Sequence, residues 1–408
     1  MPAAPPDPAS LFQPVASRSH VALAVSGGSD SMALLRLAAQ WRDQSRLTVL
    51  TVDHSLRAES KQEARQVAEW SAQAGVTHVT LPWNSAKPQT GIQAKARAAR
   101  YDLMSEWCRS NDVPVLLTAH TLDDQAETVL MRLARTTSLD SLAGIHRFGR
   151  WNGTELFRPL LSARREDLRA YLSSLGQGWM DDASNDDDRF ERVRVRKAMA
   201  GLQDVGITAE GLAELAWRAN EAVEALWSAT GDWVKLHVQE FETGHCVVPL
   251  EAFIAQTKVL QARILGCLIC RFGSGKMPEP RELDLLSAWV EGAGTRRTLG
   301  GAIIARRKDY LLIGREPARI DATPVPVPPI GVMLWDGRFE VHSEPGNRVI
   351  PALCAGHLHR CKKIPWFVQA GLPAIVRGKE ILGVPLLGMG FGAKAVFRPR
   401  LALTSRLH

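Results

Sequence analysis

Val21-Ala-Leu-Ala-Val25-Ser26-Gly27-Gly28-Ser29-Asp30-Ser31-Met32 is the stretch that decides how this chain reads. An apolar strand runs straight into a Ser/Gly loop, and the amphipathic pattern after the loop predicts a helix. Glycines let backbone approach an anion closely, and the hydroxyls of Ser26, Ser29 and Ser31 donate hydrogen bonds. The helix N-terminus favours negative charge. The loop therefore reads as a pyrophosphate cradle for ATP. It is not a Walker A motif, because no Gly-Lys-Ser/Thr follows and no lysine bridges the outer phosphates. A cradle of this kind suits enzymes that attack the α-phosphate, release pyrophosphate and leave AMP on the substrate. The competing reading is an ordinary strand-to-helix turn.

Two later segments have the same form. Leu47-Thr-Val-Leu-Thr-Val52-Asp53-His54-Ser55-Leu56-Arg57 is a buried-type strand that ends in polar residues. Val113-Pro-Val-Leu-Leu117-Thr-Ala119-His120-Thr-Leu122-Asp123-Asp124-Gln125-Ala-Glu127-Thr128 ends likewise and then opens a helix. Ligands of parallel sheets sit at the carboxyl ends of strands, so Asp53, His54 and the second polar group face one crevice with the Ser/Gly loop. Carboxylates beside a triphosphate suit magnesium, which takes oxygen ligands and keeps several waters. For one of Asp123 and Asp124 the reading is instead a helix N-cap.

Ser26-Gly-Gly-Ser-Asp-Ser31, Val52-Asp-His-Ser-Leu-Arg57 and His120-Thr-Leu-Asp-Asp-Gln-Ala-Glu-Thr128 together resemble the PP-loop ATPases and, within them, the tRNA(Ile)-lysidine synthetase family. Gly91-Ile-Gln-Ala-Lys-Ala-Arg97-Ala-Ala-Arg100-Tyr101 is similar to the family's helix between its second and third motifs. Asp181-Asp182-Ala-Ser184-Asn185 is similar to the segment that closes its catalytic domain. Lys363-Ile-Pro365-Trp366, Leu372-Pro373 and Leu382-Gly-Val384-Pro385 resemble its last domain. The likeness spans nearly the whole chain and is densest from Ser26 to Arg196.

The resemblance implies an α/β chain: a parallel-sheet PP-loop (adenine nucleotide hydrolase-like) catalytic domain, then a helical domain, then a small mixed α/β C-terminal domain. It implies an ATP-dependent ligase with magnesium. The partners are free L-lysine and tRNA(Ile) with a CAU anticodon, whose wobble cytidine is adenylated at its C2 oxygen before the lysine side-chain amine displaces AMP. Ser26, Gly27, Gly28, Ser29, Asp30 and Ser31 then hold pyrophosphate, and Arg97 and His120 reach ATP. Asp53, Asp124, Asp140 and Arg196 are the catalytic candidates, with Asp53 and Asp124 also the metal candidates. Arg192, Arg194, Arg196, Lys362 and Lys363 are the tRNA contacts. For Arg97 the alternative is a surface arginine on an Ala-rich helix. Oligomeric state stays open, a homodimer included.

The chain departs from the family pattern twice. Thr136-Thr137-Ser138 stands where a glycine-rich turn is usual, which weakens the assignment of Asp140, and Val193 stands where asparagine is expected. Within Arg192-Val193-Arg194-Val195-Arg196, an extended backbone puts all three arginines on one face, whereas a helix aligns only Arg192 and Arg196.

Composition narrows the class further. The 408 residues carry a formal net charge of +7, which favours a polyanionic partner and salt-sensitive binding. Met1-Pro-Ala-Ala-Pro-Pro-Asp-Pro-Ala-Ser10 has no secretory pattern, and no apolar run is long enough to span a membrane. Six cysteines in this length form no disulfide framework, so the expected setting is the cytoplasm. Cys267-Leu-Ile-Cys270 sits in a run with the period of a buried helix face and reads as core rather than as a metal or redox pair. Cys108 stands alone on a helix, which argues against a thiolase.

Organisation follows the pattern shifts. Residues 1–18 are expected to be a disordered N-terminus, and 19–204 the catalytic domain with βα units around Val21, Val49, Val79 and Val115. Residues 205–315 read as a helical substrate and tRNA-binding domain, in which Trp217 and Trp227 are core residues before they are stacking platforms. Residues 316–330 are a Pro-rich extended linker and 331–408 a C-terminal tRNA-binding domain. There, His357, His359, Arg360, Cys361, Lys362 and Lys363 read as an RNA contact patch, with a zinc site the lesser alternative.

Overall fold

The computed structural model describes residues 6–53, 60–84, 92–135, 138–181, 189, 191–292, 294–356, 361, 364–389 and 392–400. The chain divides into two compact units, one ending at Val223 and the other beginning at Glu224.

The first unit opens with α1 (Pro8–Phe12), capped by the Asp7 carboxylate. Leu11, Phe12 and Val15 are buried in the main core, so residues 8–15 are folded and the expected disorder over 1–18 does not hold there. Local composition read as a tail, but burying three apolar side chains, with Phe12 stacked on Trp41 at 4.8 Å, offsets the ordering entropy.

The βα units follow as their periodicity predicts: β1 (Val21–Ala24), α2 (Ser29–Trp41), β2 (Leu47–Asp53), α3 (Ser60–Gln73), β3 (Thr77–Pro82), α4 (Ile92–Ser110) and β4 (Val115–Leu117). After α5 (Leu122–Leu133) and α6 (Leu139–Leu142), β5 (Phe148–Trp151) and β6 (Thr154–Phe157) form a hairpin. The sheet order is β3-β2-β1-β4-β6-β5, parallel except for the edge strand β5. Val21 pairs with both Leu47 and Val115, so the chain leaves β1 on one side and returns on the other. The carboxyl ends of β1 and β4 therefore flank the topological switch point, where such sheets bind ligands. Apolar layers cover both faces, one built on Leu23, Leu35 and Val49, the other on Ala22, Leu50, Met104 and Leu116.

α7 (Arg165–Ser174) and α8 (Glu191–Gln203) complete this layer. α9 (Ala209–His237) begins against α5, with Leu212, Ala213 and Ala216 packed on Leu122, Ala126 and Val129.

The second unit is more β-rich than its Ala/Leu/Glu pattern suggested. β7 (Gln239–Phe241), β8 (His245–Pro249), β9 (Arg296–Leu299), β10 (Ala302–Arg306) and β11 (Tyr310–Arg315) form an antiparallel sheet of order β7-β8-β11-β10-β9. It packs on α10 (Leu250–Ile254), α11 (Lys258–Phe272) and α12 (Pro280–Glu291) through Phe253, Leu268, Leu286 and Ile313.

Residues 316–330 are not a free linker: β12 (Val325–Pro326) pairs with β15 (Arg348–Pro351), and Ile320 and Val327 enter a core. The rest of that lobe holds β13 (Val332–Trp335), β14 (Phe339–His342), α13 (Trp366–Ala370), β16 (Pro373–Arg377), β17 (Glu380–Gly383) and β18 (Lys394–Phe397). Its buried Arg338 and the guanidinium of Arg315 converge on Asp336 at 2.7 and 3.2 Å, tying it to β11.

Candidate active site

The Ser/Gly loop closes on itself before any ligand arrives. Gly27 has φ +90°, a left-handed value that suits glycine, and a Cβ there would collide with Met180 Cε. The Gly27 carbonyl accepts from the Met180 backbone N–H at 2.9 Å. Ser31 Oγ donates to the Gly28 carbonyl at 2.9 Å and accepts from the Ser26 backbone N–H at 3.2 Å. Gly28 caps α2, so the free N–H groups of that helix point into the crevice. Ser26 is exposed and Ser29 and Ser31 are buried.

The third motif builds the facing wall. Thr121 caps α5 in a reciprocal box with Asp124: the Asp124 backbone N–H donates to Thr121 Oγ1 at 3.3 Å, and the Thr121 N–H donates to Asp124 Oδ2 at 2.9 Å. Capping thus takes one oxygen of Asp124. Asp123 caps a different helix, its Oδ2 accepting the Arg165 N–H at the start of α7 at 2.7 Å. The remaining Asp124 oxygen, Oδ1, faces a group that the sequence reading missed. The Arg165 guanidinium reaches Asp30 Oδ2 at 2.9 Å, Asp124 Oδ1 at 3.3 Å and Glu127 Oε1 at 3.6 Å. Its partners lie 135, 41 and 38 residues away, so no local spacing announces it; the weak signal is an Arg-Arg pair opening a helix after Pro159-Leu-Leu.

α8 settles the geometry of the alternating segment. It is helical, and Arg192 and Arg196 lie on one face, four residues apart. Arg196 Nε pairs with Glu127 Oε1 at 3.0 Å, and Arg192 reaches Asp124 Oδ1 at 3.8 Å and donates to Thr128 Oγ1 at 3.3 Å. Arg194 points elsewhere, donating to the Arg189 carbonyl at 3.1 Å. Val193 is buried, which explains an apolar residue there. Glu127 is also buried, and among the described residues its Oε2 has no hydrogen-bond partner.

These contacts set the charges. Burial raises the Asp30 carboxyl above its usual value, and Arg165 opposes this only in part. Burial pushes Asp124 the same way, but the Arg165 and Arg192 guanidiniums and the Thr121 backbone N–H outweigh it and hold that carboxyl below the usual range. Burial lowers His120 to about 3, with the charges of Arg158, Arg97 and Arg192 adding to it against Asp124. His120 is therefore neutral. Its Nε2 lies 3.1 Å from Arg97, which can only donate, so Nε2 accepts and Nδ1–H donates to Thr118 Oγ1 at 3.0 Å.

Asp53 is buried at the carboxyl end of β2, beside β1. Asp140 is exposed on α6, held near the far end of α5 by Arg132, which donates to the Ser141 and Gly144 carbonyls at 2.8 Å each. Arg132 is eight residues past Asp124, about 12 Å along the helix. The sites proposed at His54, Lys362 and Lys363, and the zinc alternative at His357 and His359, lie outside the described residues. Among the described residues no cluster of His, Cys, Asp and Glu could hold a metal ion alone. Burial pushes the thiols of Cys267 and Cys270 to about 11 and 12, as core residues, and Cys108 to about 12. Trp217 differs from expectation, being 42% exposed. Among the described residues no helix is long and apolar enough to cross a membrane.

Comparison with known proteins identifies the family. Residues 7–202 match the family model described as a PP-loop domain. A tRNA(Ile)-lysidine synthase of Ruegeria pomeroyi is 34% identical, with 91% of this chain and 90% of that protein covered. One from Rhodopseudomonas palustris is 38% identical over 76% of this chain and 94% of its own length. One from Wolbachia pipientis is 31% identical over 92% and 91%. Likeness of that extent across both units, together with the intact Ser/Gly loop and the acid-capped α5, places the chain in the tRNA(Ile)-lysidine synthase family.

Proposed function

We propose that this chain joins free L-lysine to C2 of the wobble cytidine of CAU-anticodon tRNA(Ile), by way of an adenylated cytidine, releasing pyrophosphate and then AMP. The single observation that carries the reading is the crevice at the β1/β4 switch point, with a Ser/Gly cradle on one wall and buried acids on the other.

In the first step the C2 oxygen attacks the α-phosphorus and pyrophosphate leaves. The α2 N-terminus, Ser26, Ser29 and Ser31 hold the departing charge, and Arg97, oriented by the Nε2 acceptor of His120, supplies donors on the β4 side. In the second step the lysine ε-amine attacks C2, loses a proton, and AMP departs with the oxygen. An incoming lysine is a long cation. Asp30, Asp124 and Glu127 already converge on a long cation, Arg165, and Glu127 Oε2, with Arg192 Nε 3.9 Å away, accepts no hydrogen bond among the described residues. That acid wall is the part of the site that suits the amino acid.

Magnesium fits as an ion bound mainly through the triphosphate. Asp53 ends β2 and Asp124 follows β4, the two strands flanking β1, one carboxylate each, and magnesium commonly takes one or two protein carboxylates with phosphates and water. When bound it neutralises charge on the phosphates. We assign Arg192 and Arg196 to the charge balance of this wall and, with Arg194, Lys362 and Lys363, to contact with tRNA. A role for Asp140 is carried by the family likeness alone. The reaction is proposed to run in the cytoplasm.

Label from the α-phosphate of ATP, supplied with magnesium and without lysine, is expected on the CAU tRNA(Ile), and added lysine is expected to chase it off as AMP. Absence of tRNA-linked label, with lysine still incorporated, would remove the adenylated intermediate.

A further inference from the structure

Beyond the Ser/Gly loop, α4 and β6 bring together three guanidiniums that have no acid to neutralise them among the described residues. Arg97 and Arg100 lie on α4, and Arg158 stands immediately after β6, all around the buried Tyr101. Arg97 Nη2 donates to Tyr101 Oη at 3.4 Å and its guanidinium lies 5.2 Å from that ring's centre. Arg158 donates to the His146 carbonyl at 2.7 Å and lies close to Tyr101.

Arg100 is half-buried and forms no hydrogen bond or ion pair among the described residues; its Nε, like that of Arg158, is buried without a partner. Among the described residues no carboxylate lies in ion-pair range of any of the three. Burial, followed by repulsion from Arg97, holds the Arg100 guanidinium below the usual arginine range, and burial and Arg97 act on Arg158 in the same direction. The contrast with the other wall is sharp, since Arg165, Arg192 and Arg196 each face carboxylates. A partly buried cation with no counter-charge is costly to the free protein, and such a cost persists where a ligand supplies the missing anion.

The place of the cluster limits what that anion is. β6 is next to β4, which is next to β1, and strands are spaced about 4.8 Å apart, so Arg158 stands roughly two strands, about 10 Å, across from the cradle. The cradle's own pyrophosphate is therefore a different group. Planar guanidiniums with a phenol beside them match the oxygens of a phosphate.

We propose that Arg100 and Arg158, with Arg97 and Tyr101, form a second phosphate-binding site, separate from the Ser/Gly cradle, which holds either the transferred adenylyl phosphate or a phosphodiester of the RNA. The inference rests on the ligase reading and extends it from Arg97 to Arg100, Arg158 and Tyr101, which that reading does not use, and its test reads binding rather than turnover.

The test uses the full chain with Arg100→Gln and Arg100→Lys. An unpaired cation that serves a ligand is expendable to the free protein, so the melting temperature of Arg100→Gln is expected to stay within about 2 °C of the parent or to rise. Affinity for AMP, for a non-hydrolysable ATP analogue or for CAU tRNA(Ile) is expected to fall at least tenfold, with Arg100→Lys recovering most of it. A fall confined to the nucleotides assigns the adenylyl phosphate, and one confined to tRNA, with a smaller salt dependence, assigns a phosphodiester. Unchanged affinities for all three ligands, or a large loss of melting temperature on neutralising Arg100, would overturn the proposal. Because no lysine is present, failure of the ligase reading leaves these binding results interpretable.

Discussion

Replacing Arg165 by methionine should be the most damaging single change in the first unit outside its apolar core. The side chain is 19% exposed and faces Asp30, Asp124 and Glu127, the last only 3% exposed. Methionine keeps most of the volume and removes the charge, leaving Asp124 and Glu127 with Arg192 and Arg196 as their remaining cations, and Asp30 with none, among the described residues. Removing one partner of a buried pair costs about 3–5 kcal/mol. For a unit the size of residues 1–223, each kcal/mol moves the midpoint by about 2–4 °C, so a drop of about 6–20 °C is expected.

The deficit should depend on pH with a definite sign. In the parent, Asp124 is held low, so its ion pairs stabilise above the unfolded carboxyl pKa of about 4 and are lost as pH falls through the lower folded value. Asp30 is held high, so it favours the native state when protonated and loses that advantage as pH rises through its folded value. Without Arg165 both acids resist ionisation, so the gap between variant and parent should be full at pH 7.5 and should narrow towards pH 4.5. Calorimetric or fluorescence melts at the two pH values measure it. A shift under about 2 °C at pH 7.5, or an equal gap at both, would refute the charge argument.

Other expectations concern single features of the same site. Gly27→Ala forces a Cβ into a left-handed position that costs roughly 1–2 kcal/mol and against Met180, so it should lower both stability and affinity for an ATP analogue; unchanged affinity by titration calorimetry would remove the loop from the nucleotide site. Asp53→Asn should abolish lysine transfer and leave tRNA affinity within about twofold, at the level of binding noise, and near-normal turnover would strike it from the essential set. Cys267→Ala with Cys270→Ala should retain turnover per folded molecule, since burial keeps both thiols protonated at neutral pH. Loss of activity in soluble, folded double variant would reopen a redox role.

The central sheet was legible because each of β1, β2 and β4 is an apolar run ending abruptly in polar residues, a local signal with a topological meaning. The cradle was legible for the same reason. What escaped was long-range. Arg165 is one of many arginines until three distant segments place carboxylates around it, and Arg100 differs from Arg97 only in what fails to surround it. The Val-Arg alternation of 192–196 fits a strand as well as a helix, and burial of Val193 together with the Glu127–Arg196 pair decides for the helix. The strand β8, which pairs with β11, and the pairing of Val325-Pro326 with β15 depend on partners far along the chain, as does the burial of Phe12. Each is a case of tertiary context overriding local composition.

The account's central claim is the transfer of lysine to one particular RNA. Labelled L-lysine, ATP and magnesium should be incubated with unmodified CAU tRNA(Ile) and, in parallel, with a methionine tRNA of the same anticodon. Stable label on the isoleucine tRNA alone, absent without ATP, is the predicted result. Label on neither RNA, from a protein that binds both ATP and tRNA, would contradict the account.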